Sequence, residues 1–166
     1  MNELITQLIE MINREVESFE KMLDLLLSEQ DSIVENNVET LQENLHEQEV
    51  LVSDIRSLEQ ERVKLTKAIS HQIGMKPGEL TLRKLARRLK GIEATKLQDV
   101  GDSLLQLQRK IQTTNRNNQI LIKQSLRCID QTLNIFTGGE GSPELYVKTG
   151  KKARAPSGRS LVNRNA

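Results

Sequence analysis

His46, His71 and Cys128 are the side chains best suited to nucleophilic, acid–base or metal chemistry, and their spacing assembles none of it. Zinc sites gather three or four His, Cys or carboxylate ligands at short spacings such as CxxC or HExxH. Two separated histidines and one cysteine match neither pattern. A single cysteine also excludes a disulfide framework within one chain. A thiol nucleophile needs a base beside it. Cys128 instead adjoins Ile129 on an apolar stripe and reads as a small, half-buried thiol.

The remaining chemical motifs are no stronger. Glu59 with Glu61, and Asp99 with Asp102, are carboxylate pairs on helical segments, where they read as solvating charge rather than acid–base groups. Gly138-Gly139-Glu140-Gly141 shares only glycine content with a phosphate loop; the lysine and following Ser or Thr are missing. The run Arg83 to Lys90 is basic enough to grip phosphates, yet no aromatic side chain is interleaved to stack on bases. It reads as a helix packed against acidic neighbours. The expectation is a protein that is not an enzyme, takes no cofactor or metal, and binds no nucleic acid.

Charge divides sharply along the chain. Residues 1–61 carry 16 acids and 3 bases, and residues 62–166 carry 21 bases and 7 acids, so −13 and +14 leave the net +1. Opposite signs on antiparallel helices neutralise one another at close range. Phe19, Phe136 and Tyr146 are the only aromatics, so Leu, Ile and Val must supply nearly all burial, which favours helices over sheets. No apolar run approaches the ~20 residues of a membrane span. The opening Met1-Asn2-Glu3-Leu4 lacks the basic start of a secretory signal. A cytoplasmic chain without membrane insertion is expected.

The elements follow from periodicity. Met1, Ile5, Leu8, Ile12, Phe19, Met22, Leu26 and Ile33 alternate at spacings of three and four, broken by Glu15 and Glu29. This predicts a first helix over about 2–34. Asn36 with Glu39 three residues later has the form of a capping box. A second helix over 37–71 carries Val38, Leu41, Leu45, Val52, Ile55, Leu58, Leu65 and Ile69, with a stutter after residue 45. Gly74, Pro77 and Gly78 end it. Leu80, Leu82, Leu85 and Leu89 alternate with bases in a short connector helix over 80–90, closed by Gly91. Residues 93–136 then predict one long helix. Its first half offers Leu97, Val100, Leu104, Leu107 and Ile111; Gln112 to Gln119 is entirely polar; apolar spacing returns from Leu121 to Phe136. Residues 137–166, rich in Gly and Pro with six bases against Glu140 and Glu144, read as a flexible basic tail. The expected fold is all-α: an antiparallel bundle of three long helices over 1–136, with the connector, an extended C-terminal helix segment and the tail.

Several stretches together resemble the FlgN family of flagellar type III export chaperones. They are Leu25 to Asp31 (LLLSEQD), then Leu41, Leu45, Val52, Ile55, Leu58-Glu59 and Arg62, and the Gly74 to Leu89 connector. Near the C-terminus stands Asn118-x-x-Leu121-Ile122-x-x-Ser125-Leu126-x-x-Ile129 with Leu133, followed by Leu145-Tyr146-Val147-Lys148-Thr149-Gly150. The likeness spans nearly the whole chain; its order and its two C-terminal motifs carry the specificity.

The resemblance implies a cytoplasmic chaperone that holds hook-associated (hook–filament junction) proteins by their terminal helices and delivers them to the export gate. It assigns cargo binding to Asn118, Leu121, Ile122, Ser125, Leu126, Ile129, Leu133 and Phe136. It assigns export-gate docking to Tyr146. A self-associating coiled-coil scaffold without secretion cargo, or a homodimer through the C-terminal helix, stays open on the residues alone. The basic segment Lys151-Lys152 to Arg159 has no counterpart in the resemblance.

Overall fold

A computed structural model of the chain describes residues 2–76 and 78–137. Met1, Pro77 and the segment 138–166, with Tyr146 and the expected tail, lie outside the described residues. All regular structure among those described is helical: α1 (Asn2–Glu35), α2 (Val38–Gln72), α3 (Leu82–Arg88) and α4 (Ile92–Thr137).

The three-and-four spacing of α1 puts Ile5, Leu8, Ile12, Met22, Leu26 and Ile33 on one stripe, and all are buried. Glu15 and Glu29, which interrupt the apolar series, occupy the same stripe and are buried as well. The helix ends in a tight turn made by two neighbouring asparagines. Asn36 takes a left-handed φ of +55°. Its N–H donates to the Ile33 carbonyl, and the Asn37 N–H donates to the Ser32 carbonyl at 2.9 Å. This pair of bonds is a Schellman C-cap, with Asn in the position glycine usually fills. Asn37 then caps α2, its Oδ1 accepting from the Thr40 N–H at 3.2 Å. The N-cap is therefore Asn37 rather than Asn36, because Asn36 is taken up closing the previous helix.

A second Schellman turn closes α2. Gly74 has φ +69°; its N–H reaches the His71 carbonyl, and the Met75 N–H reaches the Ser70 carbonyl at 2.9 Å. Thr81 caps α3, accepting from the Lys84 N–H. Gly91, at φ +78°, turns the chain into α4.

The partners across α1 and α2 descend in one helix as they ascend in the other. Asn44 meets Ser28 and Ser32, Gln48 meets Glu29, and Arg62 meets Glu15. The two helices thus form an antiparallel hairpin. At its outer end a cluster joins every helix: Ile5, Leu8, Ile9 and Ile12 of α1, Ile69 of α2, Leu85 and Ala86 of α3, Leu97 of α4, and Leu80 of the connector. Each fully buried Leu or Ile contributes ~1.5–3 kcal/mol. The cluster is wholly aliphatic, as the shortage of aromatics requires.

Gly101 lies inside α4, where glycine costs roughly 0.5–1 kcal/mol relative to alanine. A Cβ there would meet Leu82 Cδ1 at 3.7 Å, an ordinary contact. Packing alone does not demand the glycine.

By contact density the chain divides into two units, residues 1–121 and 122–166. Unit 1 holds α1, α2, α3 and the first part of α4. The described part of unit 2 is helical from Ile122 to Thr137.

Because Asn36 already sits in left-handed backbone, Asn36→Gly should leave thermal stability unchanged or slightly raised. Asn36→Val should cost about 1–2 kcal/mol, since a branched Cβ clashes there. Thermal unfolding followed by circular dichroism distinguishes the two; equal stability of both variants would contradict the turn.

Candidate functional site

The groups that invited chemical readings are dispersed. His46, His71 and Cys128 are all exposed. The expected half-burial of Cys128 is corrected: its position falls outside the arc of Leu126, Ile129 and Phe136, so the thiol faces water. Among the described residues no group of three or more His, Cys, Asp or Glu could hold a metal ion. No described helix is long and apolar enough to cross a membrane.

The interior of the α1–α2 hairpin is unexpectedly polar. Glu15 is 2% exposed and accepts from Arg62 Nε at 2.9 Å through Oε1, while Oε2 is buried with no hydrogen-bond partner. Arg62 also approaches Glu59 at 3.8 Å. Burial pushes the Glu15 carboxyl above its ordinary value of 4.5, against the lowering effect of Arg62, and the negative charge of Glu59 adds to the rise. One helical segment further on, buried Glu29 accepts from Gln48 Nε2 at 2.8 Å. Asn44 Nδ2 donates to Ser28 Oγ at 3.0 Å and to Ser32 Oγ at 3.5 Å. A break in an apolar repeat signals these buried acids, but only a neighbouring helix can say which of its residues satisfy them.

The residues assigned to cargo divide between two environments. Asn118 is 1% exposed, and its Nδ2 donates to the Leu26 carbonyl of α1 at 2.8 Å, with Oδ1 buried and unpartnered. Its side chain is thus occupied inside unit 1. Thr114 is buried too, so the polar belt of 112–119 turns one edge inward instead of being wholly solvated. Leu121 and Ser125 are half-buried.

Within unit 2, Ile122, Leu126, Ile129, Leu133 and Phe136 are exposed, from 37% for Ile122 to 77% for Phe136. At 100° per residue these five fall on one arc of the helix, with Lys123, Arg127, Asp130 and Asn134 flanking it on one side. Thr132 Oγ1 turns back to the Cys128 carbonyl, satisfying itself along the helix. Ile120 and Ile135 are exposed away from that arc, a feature the periodicity did not single out. An ordered helix offering an apolar stripe flanked by charges can seat another amphipathic helix.

The expectation that α3 packs its bases against the acidic helices is also corrected. Leu85 and Ala86 turn into the cluster, leaving Arg83, Lys84, Arg87 and Arg88 exposed. Among the described residues the ion pairs are those of Arg62 with Glu15 and Glu59. Lys84 Nζ donates to the Glu79 carbonyl, a backbone group. Burying an aliphatic edge determines which way so short a helix turns, and the bases follow.

A family model described as FlgN protein matches residues 1–154 of the chain. Comparison with curated proteins and with solved structures gives no match.

The raised Glu15 pKa fixes the sign of one pH effect. The folded state holds the proton over a window in which the unfolded chain has released it, so this group's stabilisation is full below about 4.5 and is lost as pH rises through the folded value. Glu15→Gln keeps an acceptor for Arg62 and removes the buried charge. It should flatten that decline and leave Tm at pH 7 equal to or above wild type. A loss of ~3–5 kcal/mol at pH 7, as for breaking a stabilising buried pair, would contradict this reading.

Proposed function

The chain belongs to the FlgN family of flagellar export chaperones, and on that premise we propose that its second unit seats the terminal amphipathic helix of a hook-associated protein. The guest lies along Ile122, Ser125, Leu126, Ile129, Leu133 and Phe136; Leu121, also assigned to cargo by the resemblance, is half-buried at the end of unit 1. Asn118 supports α4 from within unit 1 instead of touching the guest. The protein works in the cytoplasm, without catalysis, by covering apolar helix surface that would otherwise associate before assembly.

The observation that carries this reading is the exposure of Leu126, Ile129 and Phe136 at 56%, 55% and 77% on an already formed helix. Full burial of such a side chain is worth ~1.5–3 kcal/mol, and association costs at least ~4 kcal/mol, so several anchors are needed together. A formed helix avoids the further cost of ordering its backbone. The matching fold reading is an antiparallel bundle of three long helices. It is supported by Leu97 joining the cluster of Ile5 and Leu8, and by Asn118 reaching Leu26 further along α1. Delivery to the export gate is assigned to Tyr146, in keeping with the resemblance of Leu145 to Gly150 to the family's tail element.

Co-purification with the terminal helices of junction proteins tests the face. The double variant Leu126→Asp, Ile129→Asp should keep the helical content and Tm of wild type and lose cargo by at least ~100-fold, the equivalent of ~2.7 kcal/mol. Undiminished capture by the folded double variant would reject the face. Sub-micromolar self-association abolished by the same substitutions would give it to a second copy instead. Tyr146→Ala should preserve cargo binding and weaken capture by the export gate; loss of both would mean that the two functions are not separable.

A further inference from the structure

Unit 1 carries a groove of about 760 Å³ between α3 and the first half of α4. Leu82, Leu104 and Leu105 give it an apolar lining, and Gly101 lies among them. Arg83 and Arg87 line it from α3, with Arg62 from α2 and Asp102 from α4. Arg62 is already held by Glu15.

Two independent features point outward from this groove. Arg83 and Arg87 are exposed and have no carboxylate within ion-pair distance among the described residues. They stand one helical turn apart, a spacing of ~5–6 Å between Cβ atoms that suits two carboxylates similarly spaced on another helix. Gly101 is the second feature. Neither a positive φ nor a close neighbour requires glycine there, and alanine would favour the helix. A Cβ there would stand 3.7 Å from Leu82 Cδ1, so an added methyl group would take up room in the groove beside Leu82.

We propose that this groove docks an acidic amphipathic helix of a partner protein. The aliphatic face of the guest covers Leu82, Leu104 and Leu105, and two of its carboxylates one turn apart pair with Arg83 and Arg87. Guanidinium groups suit this pairing because their planar donors engage a carboxylate bidentately. Among the described residues no aromatic side chain lines the groove to stack on nucleic-acid bases. Residues 137–166 of the chain carry six bases against two acids, the wrong sign for an internal occupant. The site does not depend on the face at 122–136.

The test uses the full chain and fluorescence anisotropy. The probe is a fluorescein-labelled designed helix of about 18 residues with leucines at i, i+3, i+4 and i+7 and flanking glutamates one turn apart. Controls are the same peptide with Gln for Glu and a labelled single-stranded RNA of about 20 nucleotides. Wild type should bind the acidic peptide, with at least a ~10-fold loss for Arg83→Glu, Arg87→Glu and for the Gln peptide. Gly101→Ala should bind more weakly while its Tm rises by about 2–4 °C, which separates a filled groove from a damaged fold. The Leu126→Asp, Ile129→Asp protein should bind the probe as wild type does, so failure of the cargo face leaves this result intact. The proposal is overturned if wild type fails to bind the peptide, prefers the RNA, or binds equally well after the arginine or glycine substitutions. It is equally overturned if Arg83→Glu, Arg87→Glu abolishes a self-association seen by sedimentation, which would make the occupant a second copy.

Discussion

The register of α2 along α1 is the constraint on which the rest of the structure depends. Apolar stripes alone tolerate slippage, since one leucine replaces another a turn away. Buried polar groups do not, because each must find its own partner or remain desolvated at a cost of ~1–3 kcal/mol. Here the pairs Asn44–Ser28, Gln48–Glu29 and Arg62–Glu15 lie along the hairpin. A one-turn slip would break all three together. With that register held, Ile69 reaches Ile5 and its neighbours, and the cluster that receives α3 and α4 can form. Burying Glu15 carries a desolvation cost, and that burial raises its pKa.

The same logic operates where α4 meets α1. Asn118 uses a helix carbonyl, that of Leu26, as its acceptor and so ties a polar stretch of α4 to the hairpin without a matching side chain. This contact belongs to unit 1. Unit 2 begins four residues later, and there the pattern changes: among its described residues apolar side chains are exposed and no polar side chain is buried. A binding protein needs both conditions in one chain. One region must be uniquely ordered, and another must retain apolar surface that a guest can cover.

Much of this was legible in the sequence because helices announce themselves through periodicity and breakers. Gly74 and Gly91 mark turns because their backbone takes a left-handed φ, and the long uninterrupted run after residue 92 is one helix. What escaped depends on partners distant in sequence. Asn36 and Asn37 are equivalent as letters; only the bonds from Asn36 and Asn37 back to Ile33 and Ser32 decide which one caps α2. The polar belt at 112–119 gives no sign that Thr114 and Asn118 turn inward, since burial there is set by α1. The bases of α3 were expected beside acids, but Leu85 and Ala86 claim the interior, and the short helix has no second face to turn. Of the site residues, those spaced by three and four from Ile122 to Phe136 share an arc as periodicity requires, whereas Asn118 does not share their exposure.

The central claim is that the apolar arc of unit 2 is kept available to a foreign helix. Hydroxyl-radical footprinting of the full chain, read by mass spectrometry at the side chains of residues 122–136, tests it most directly. Leu126, Ile129 and Phe136 should be labelled much faster than the buried Ile5, Leu8 and Ile12 in the free protein at any concentration, with marked protection once the terminal helix of a junction protein is added. Strong protection of 122–136 in the free monomer, unchanged by that helix, would contradict it.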